Sequence, residues 1–127
     1  MNEILENVAR IREEMANAEA RAGRPSGEVK LLAATKMNDA EHVRQAIAAG
    51  VDVCGENRVQ ELVEKNARNA YEGAPLHFIG HLQKNKAKFL VGVADLIQSV
   101  DSEELMTVID RLAEKRGVRQ EIGRAHV

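Results

Sequence analysis

The chain has 127 residues, of which 44% are hydrophobic and 30% charged, a balance typical of a folded globular domain and not of a disordered one. Its net charge of -2, with two Phe, one Tyr and no Trp, gives neither the basic field nor the stacking surface that nucleic-acid binding uses. The single cysteine, Cys54, and the lack of a membrane-length apolar run or a signal-peptide pattern predict a cytoplasmic protein without membrane contact or internal disulfide.

A leading helical pattern is followed by alternating strand and helix patterns. Residues 3–22 place apolar side chains at steps of three and four, which predicts an amphipathic helix ended by Gly23 and Pro25. Four short apolar runs predict strands at residues 29–35, 51–54, 76–79 and 96–100. Helical patterns follow each of them, at residues 38–49, 58–70, 84–92 and 102–116.

This order predicts an α/β fold with parallel strands and right-handed crossovers. Two architectures are compatible with it: a doubly wound open sheet and a (β/α)8 TIM-like barrel. Four strand-helix units are too few for a complete barrel, so the second alternative is the N-terminal half of one. Periodicity by itself does not choose between the two.

The end of the chain departs from the pattern. After Gly117 a fifth apolar strand is expected, but residues 120–127 give no strand pattern. The last seven residues, 121–127, are also what a common sequencing-adapter string encodes when it is translated. We therefore predict a truncated domain over residues 1–120 and a non-native tail over residues 121–127. The alternative is a genuine polar C-terminal tail.

Lys36 ends the first predicted strand. The carboxyl ends of parallel strands are where α/β folds place their sites, and the small side chains of Ala33 and Ala34 leave space there. Desolvation at such a place favours the neutral amine that forms an imine with an aldehyde. The alternative is a lysine that leaves the strand and reaches solvent.

Three further segments follow the next strands. Gly55 and Asn57 open the loop after the second strand, where Asn57 could bind a cofactor ring or simply begin a helix. His77 and His81 lie four apart but straddle a strand end without an acidic or cysteine partner, so we expect no metal site. Ser99 could point into a barrel mouth, and no paired base at nearby spacing supports a hydrolase triad.

Taken together, these segments resemble one family. They are LLAATK (31–36), GENRVQE (55–61), HFIGHLQKNK (77–86) and SVD (99–101), which occur in the order found in the pyridoxal phosphate homeostasis protein family. Members of that family are similar to the barrel domain of alanine racemase and lack its second domain. The resemblance therefore implies the N-terminal half of a (β/α)8 barrel and not an open sheet.

The same resemblance implies pyridoxal 5'-phosphate (PLP) as the cofactor. It aligns Lys36 with the lysine that holds PLP as a Schiff base, and Asn57, His77 and Ser99 with cofactor neighbours near the barrel mouth. No catalytic residue and no metal are implied. The residues that hold the cofactor phosphate follow the late strands of such barrels and have no counterpart here.

The resemblance implies a function in vitamin B6 and amino-acid homeostasis, without established catalysis. PLP and apo forms of PLP-dependent enzymes are the expected partners, and the intact protein is expected to be a monomer. A racemase needs acid-base groups on both faces of the substrate, one of them from a domain that is absent here. The alternatives are a PLP-dependent enzyme such as an amino-acid racemase, or a small open-sheet binding module.

Overall fold

The computed structural model describes residues 3–124 as a leading helix followed by alternating strands and helices. The helices are α1 (Glu3–Arg21), α2 (Ala40–Ala49), α3 (Val59–Ala67) and α4 (Glu103–Arg116), with a 3-10 helix at Lys84–Phe89. The strands are β1 (Leu32–Ala34), β2 (Val53–Glu56), β3 (Leu76–Phe78), β4 (Leu96–Val100) and β5 (Glu121–Arg124). Within residues 3–124, no helix combines the length and the hydropathy needed to cross a membrane.

The strands form one parallel sheet in sequence order, β1-β2-β3-β4-β5. Gly55 pairs with Ala34 on one side and with His77 on the other, so the carboxyl ends of the first three strands lie along one edge. Pairing in sequence order is the arrangement of a barrel wall, and it confirms the predicted parallel α/β fold.

One face of this sheet is buried and the other is only partly covered. Cys54, Phe78 and Ile97 from the strands form a single core with residues of the helices, among them Leu62 and Leu105. On the opposite face, intermediate exposure is shared by Leu32, Val53, His77 and Leu96. A doubly wound sheet is covered by helices on both faces. The fold is therefore consistent with the N-terminal half of a (β/α)8 barrel.

Capping residues mark the beginnings and ends of the helices at positions that the sequence predicts. The Asp39 carboxylate accepts the backbone N–H of His42 at 2.9 Å, and the Ser102 hydroxyl oxygen accepts that of Leu105 at 3.1 Å. Gly117 closes α4 in the left-handed conformation, with φ 64°. The helix predicted over residues 84–92 is instead a shorter 3-10 helix.

The structure corrects the expectation that no strand follows Gly117. Glu121–Arg124 forms β5, which pairs in parallel with β4 through Leu96 with Glu121 and Ile97 with Ile122. Backbone groups can extend a sheet whatever the side chains are, and here Glu121 and Ile122 are exposed. Residues 125–127 lie outside the described range, and the origin of residues 121–127 stays a prediction.

Candidate functional site

The predicted site residues lie at or near the carboxyl edge of the sheet. Lys36 is two residues beyond the end of β1, Asn57 directly follows β2, and Ser99 is the penultimate residue of β4. His77 is different, since it occupies the middle of β3 and pairs with Gly55 and Leu96. The structure thus brings three of the four residues to the strand ends and leaves His77 deeper in the sheet.

Lys36 is exposed, which corrects the expectation of a dry amine. Its strand face also carries Ala34, which is exposed, and Leu32, which is partly buried. Within residues 3–124 this face is only partly covered, and the Lys36 side chain stays in contact with water. Over residues 3–124, the exposure of Lys36 therefore matches the alternative given above, a lysine that leaves the strand and reaches solvent.

The backbone around Lys36 is held firmly, in contrast to its side chain. The carbonyl oxygen of Thr35 accepts a hydrogen bond from Lys65 Nζ at 2.7 Å, and the N–H of Met37 donates to Glu61 Oε1 at 2.8 Å. Asn38 Nδ2 also donates to the Lys36 carbonyl oxygen at 3.1 Å. Each of the two peptide groups that flank the Lys36 Cα atom therefore has a side-chain partner.

A buried polar cluster lies behind β1, on the helix side of the sheet. Glu56 is 0% exposed, and its Oε2 atom accepts hydrogen bonds from Thr35 Oγ1 at 2.6 Å, Tyr71 OH at 2.7 Å and Lys65 Nζ at 2.9 Å. Burial and the bond to Glu56 raise the pKa of Tyr71. The phenol thus remains a donor to the carboxylate.

Sequence reasoning missed this cluster, although two signals were present. Strand alternation places Glu56 on the same face as the core residue Cys54, where a carboxylate needs a partner. Glu61 and Lys65 have the four-residue spacing of a helical ion pair, and their charged atoms are 3.5 Å apart. Neither signal identifies Thr35 or Tyr71, because those contacts depend on how α3 and the loop after it pack on β2.

The backbones of Asn57 and Gly80 lie very close together at the strand ends. A Cβ atom at Gly80 would collide with the carbonyl oxygen of Asn57, so only glycine fits there. Asn57 Oδ1 is buried and has no protein hydrogen-bond partner. An acceptor in this state is suited to a donor supplied by a ligand.

Ser99 and His77 both have protein partners. The Ser99 hydroxyl donates to the carbonyl oxygen of Gly80, which ties the end of β4 to the loop after β3. His77 Nδ1 lies 2.9 Å from Gln98 Nε2, and burial lowers the pKa of His77. Asn57, Gly80 and Ser99 therefore form one linked set, whereas His77 interacts across the sheet below it.

His77 and His81 do not share a site. His81 is exposed and its Nδ1 lies 3.5 Å from a carboxylate oxygen of Asp101, while His77 contacts Gln98. Across residues 3–124, His, Cys, Asp and Glu side chains form no group of three that could hold a metal ion.

Comparison with known proteins identifies relatives along most of the chain. No family model matches it. It is 42% identical over 115 residues to the pyridoxal phosphate homeostasis protein of Pasteurella multocida, covering 89% of this chain and 48% of the relative. It is 38% identical over 117 residues to the protein of the same name from Aquifex aeolicus, covering 92% of this chain and 51% of the relative.

Solved structures give the same result. An unknown protein from Bifidobacterium adolescentis superposes with a TM-score of 0.84 at 41% identity, over 94% of this chain and 53% of that protein. PipY of Synechococcus elongatus with PLP bound superposes with a TM-score of 0.71 at 38% identity, over 85% of this chain and 51% of PipY. The chain thus spans about half the length of the relatives that it matches.

Proposed function

We propose that this chain is the part of a PLP-binding protein that carries the Schiff-base lysine, Lys36. It belongs to the pyridoxal phosphate homeostasis protein family and spans about half the length of the relatives that it matches. The observation that carries the proposal is the place of Lys36. Lys36 is exposed at the carboxyl edge of the parallel sheet, on a backbone whose flanking peptide groups are both hydrogen-bonded. PLP is bound in the related PipY structure, which supports the cofactor assignment.

The chemistry proposed for Lys36 is reversible condensation. Its neutral amine adds to the carbonyl carbon of an aldehyde, the oxygen leaves as water, and a C=N bond forms. PLP supplies that aldehyde when it is bound, and the Schiff base keeps the reactive carbonyl masked until another amine exchanges with it.

Asn57 is the second residue of the proposed site, because its buried Oδ1 atom lacks a protein donor. A ring hydroxyl or a protonated nitrogen of the cofactor is the kind of donor that would satisfy it. His77 and Ser99 belong to the proposed set on the family resemblance. Their polar atoms contact Gln98 and Gly80, so we assign them to the wall of the site.

We further propose that the protein stores and delivers PLP and does not turn over a substrate. The name of the relatives, which describes homeostasis, supports this role. Apo forms of PLP-dependent enzymes are the proposed recipients, the intact protein is proposed to be a monomer, and the cytoplasm is its proposed location. If instead the natural protein exchanged the α-hydrogen of free amino acids with solvent, an enzyme such as an amino-acid racemase would be the correct assignment.

Reductive trapping tests the proposal. The natural full-length product of the gene is incubated with PLP, reduced with borohydride and digested, and the modified lysine is located by mass spectrometry. We expect the label on Lys36 and its loss in Lys36→Ala. Lys30→Ala is the matched control, because Lys30 is also exposed but precedes the same strand at its opposite end. Reduction that leaves Lys36 unlabelled in the wild-type protein would overturn the assignment.

A further inference from the structure

Two side chains of α3 hold the backbone on either side of Lys36. Lys65 donates to the carbonyl oxygen of the Thr35–Lys36 peptide group at 2.7 Å, and Glu61 accepts from the N–H of the Lys36–Met37 peptide group at 2.8 Å. These two bonds act on opposite sides of one Cα atom. They therefore restrict both backbone dihedral angles that aim the Lys36 side chain.

The two side chains also support each other. Glu61 and Lys65 are one helical turn apart with charged atoms 3.5 Å from each other, and Lys65 is bound in addition to the fully buried Glu56 at 2.9 Å. An ammonium group with three donors can serve all of these acceptors at once. The support behind Lys36 is thus anchored in the core and is not a mobile surface pair.

The backbone conformation at Met37 needs such support. Met37 has φ 62°, a left-handed conformation that is unfavourable for a residue with a Cβ atom. Its side chain is 83% exposed, so packing contributes little to holding it there. The bond from its N–H to Glu61 is one of three that stabilise the turn directly after Lys36. The other two come from Asn38, whose N–H donates to the Thr35 carbonyl oxygen at 3.2 Å and whose Nδ2 donates to the Lys36 carbonyl oxygen at 3.1 Å.

We propose that Glu61 and Lys65 are positioning residues for Lys36. They act from the helix side of the sheet and fix the direction in which the amine leaves the strand end. This inference rests on the proposed function, since it concerns how efficiently Lys36 meets an aldehyde held at the site. When either bond is lost, the amine is still present but samples more orientations. This lowers the rate of Schiff-base formation.

Glu61 offers the cleaner test of the two. Removing Lys65 leaves Glu56 as an unpaired buried charge and endangers the fold, whereas Glu61 is partly exposed and lies at the rim of the cluster. Glu61→Ala deletes the acceptor for the Met37 N–H, and Glu61→Gln keeps a carbonyl oxygen in nearly the same place. Glu61→Asp retains the charge but shortens its reach. Glu64→Ala is the matched control, because Glu64 is an exposed residue of the same helix whose carboxylate accepts a hydrogen bond from Gln60 Nε2 at 3.2 Å and makes no contact with the Lys36 turn.

The experiment uses the natural full-length product of the gene and has two readouts. Amide hydrogen exchange at Met37 is measured without cofactor, and the rate of borohydride-trapped labelling at Lys36 is measured with PLP. For Glu61→Ala and Glu61→Asp we expect about tenfold faster exchange and about tenfold slower labelling, as for the loss of one hydrogen bond to a charged acceptor. Glu61→Gln should recover most of both values, and Glu64→Ala should match the wild type.

The two readouts separate the failure of this inference from that of the proposed function. Faster exchange at Met37 in a variant that still labels Lys36 at the wild-type rate would overturn the positioning role. Unchanged exchange in both Glu61→Ala and Glu61→Asp would overturn it as well. A wild-type protein that never labels at Lys36 would instead overturn the proposed function.

Discussion

Lys65 and Glu56 form an ion pair in the interior, with Nζ 2.9 Å from Oε2 and both residues less than 9% exposed. Its Oε2 atom also accepts hydrogen bonds from Thr35 and Tyr71, so three donors converge on one oxygen, while the buried Oε1 atom has no protein hydrogen-bond partner. Thr35 immediately precedes Lys36, and its carbonyl oxygen is bound to the same ammonium group. The pair therefore connects the packing of α3 and β2 to the end of β1, where the proposed Schiff-base lysine lies.

Breaking this pair from one side should be much more harmful than removing it altogether. Lys65→Met leaves a buried carboxylate without its counter-charge, and we expect a loss of about 3–5 kcal/mol in the free energy of unfolding. Lys65→Met combined with Glu56→Gln should lose clearly less, since no charge then remains buried. Urea denaturation of the single and double variants measures the difference. Equal losses would contradict a charged pair at this place.

Gly80 should tolerate no side chain. An added Cβ atom would collide with the carbonyl oxygen of Asn57, a backbone atom that cannot rotate away. We expect Gly80→Ala to lower the free energy of unfolding by about 3 kcal/mol, at the upper end of overpacking effects, and to weaken PLP retention by moving Asn57. The control is Gly23→Ala. There an added Cβ atom would meet no atom of a non-neighbouring residue within 4 Å, and only the left-handed φ of 70° is unfavourable, at about 1–2 kcal/mol. A Gly80→Ala protein as stable as the control would show that the two loops separate easily.

Cys54 should make the protein less stable in alkali. Burial, with Glu56 nearby, raises the pKa of its thiol from 9.0 to about 11. Between these values the unfolded chain loses the proton while the folded chain keeps it, so stability is complete below pH 9.0 and falls as the pH rises toward about 11. Urea midpoints measured across this range should fall less steeply for Cys54→Ala. The same slope in both proteins would assign the alkaline loss to other groups, such as Tyr71, whose pKa is also raised.

The seven residues after Gln120 should differ in the natural gene. Gln120 is anchored, since its Oε1 accepts from Gly92 N–H at 2.9 Å and its Nε2 donates to the Ala94 carbonyl oxygen at 2.9 Å. In β5, by contrast, Glu121, Ile122 and Arg124 are exposed. We propose that residues 121–127 derive from a sequencing adapter and that re-sequencing from the source will replace them with a more apolar strand. Recovery of the same seven codons from an independent clone would make them native.

Much of the fold could be predicted from the sequence because it follows from local patterns. The period of the apolar residues predicted five helical segments, of which four are the α-helices α1 to α4, and it predicted the first four strands. Ser102 and Gly117 are end signals that act through their own backbone neighbours. The absence of a strand after Gly117 was predicted wrongly. Residues 121–124 form a strand because their backbone is hydrogen-bonded to β4, and the pattern of apolar side chains does not predict such backbone pairing.

By itself, the sequence determined the alternation of strands and helices, the place of Lys36 at a strand end and the family to which its motifs correspond, since all of these depend on the order of residues along the chain. Only the tertiary structure decided that the second face of the sheet is partly covered, that the Lys36 side chain is exposed, and that Glu61 and Lys65 form hydrogen bonds with the backbone around it. Those contacts join residues more than twenty positions apart. They exist because α3 packs across the back of the sheet, and no local pattern specifies that distance.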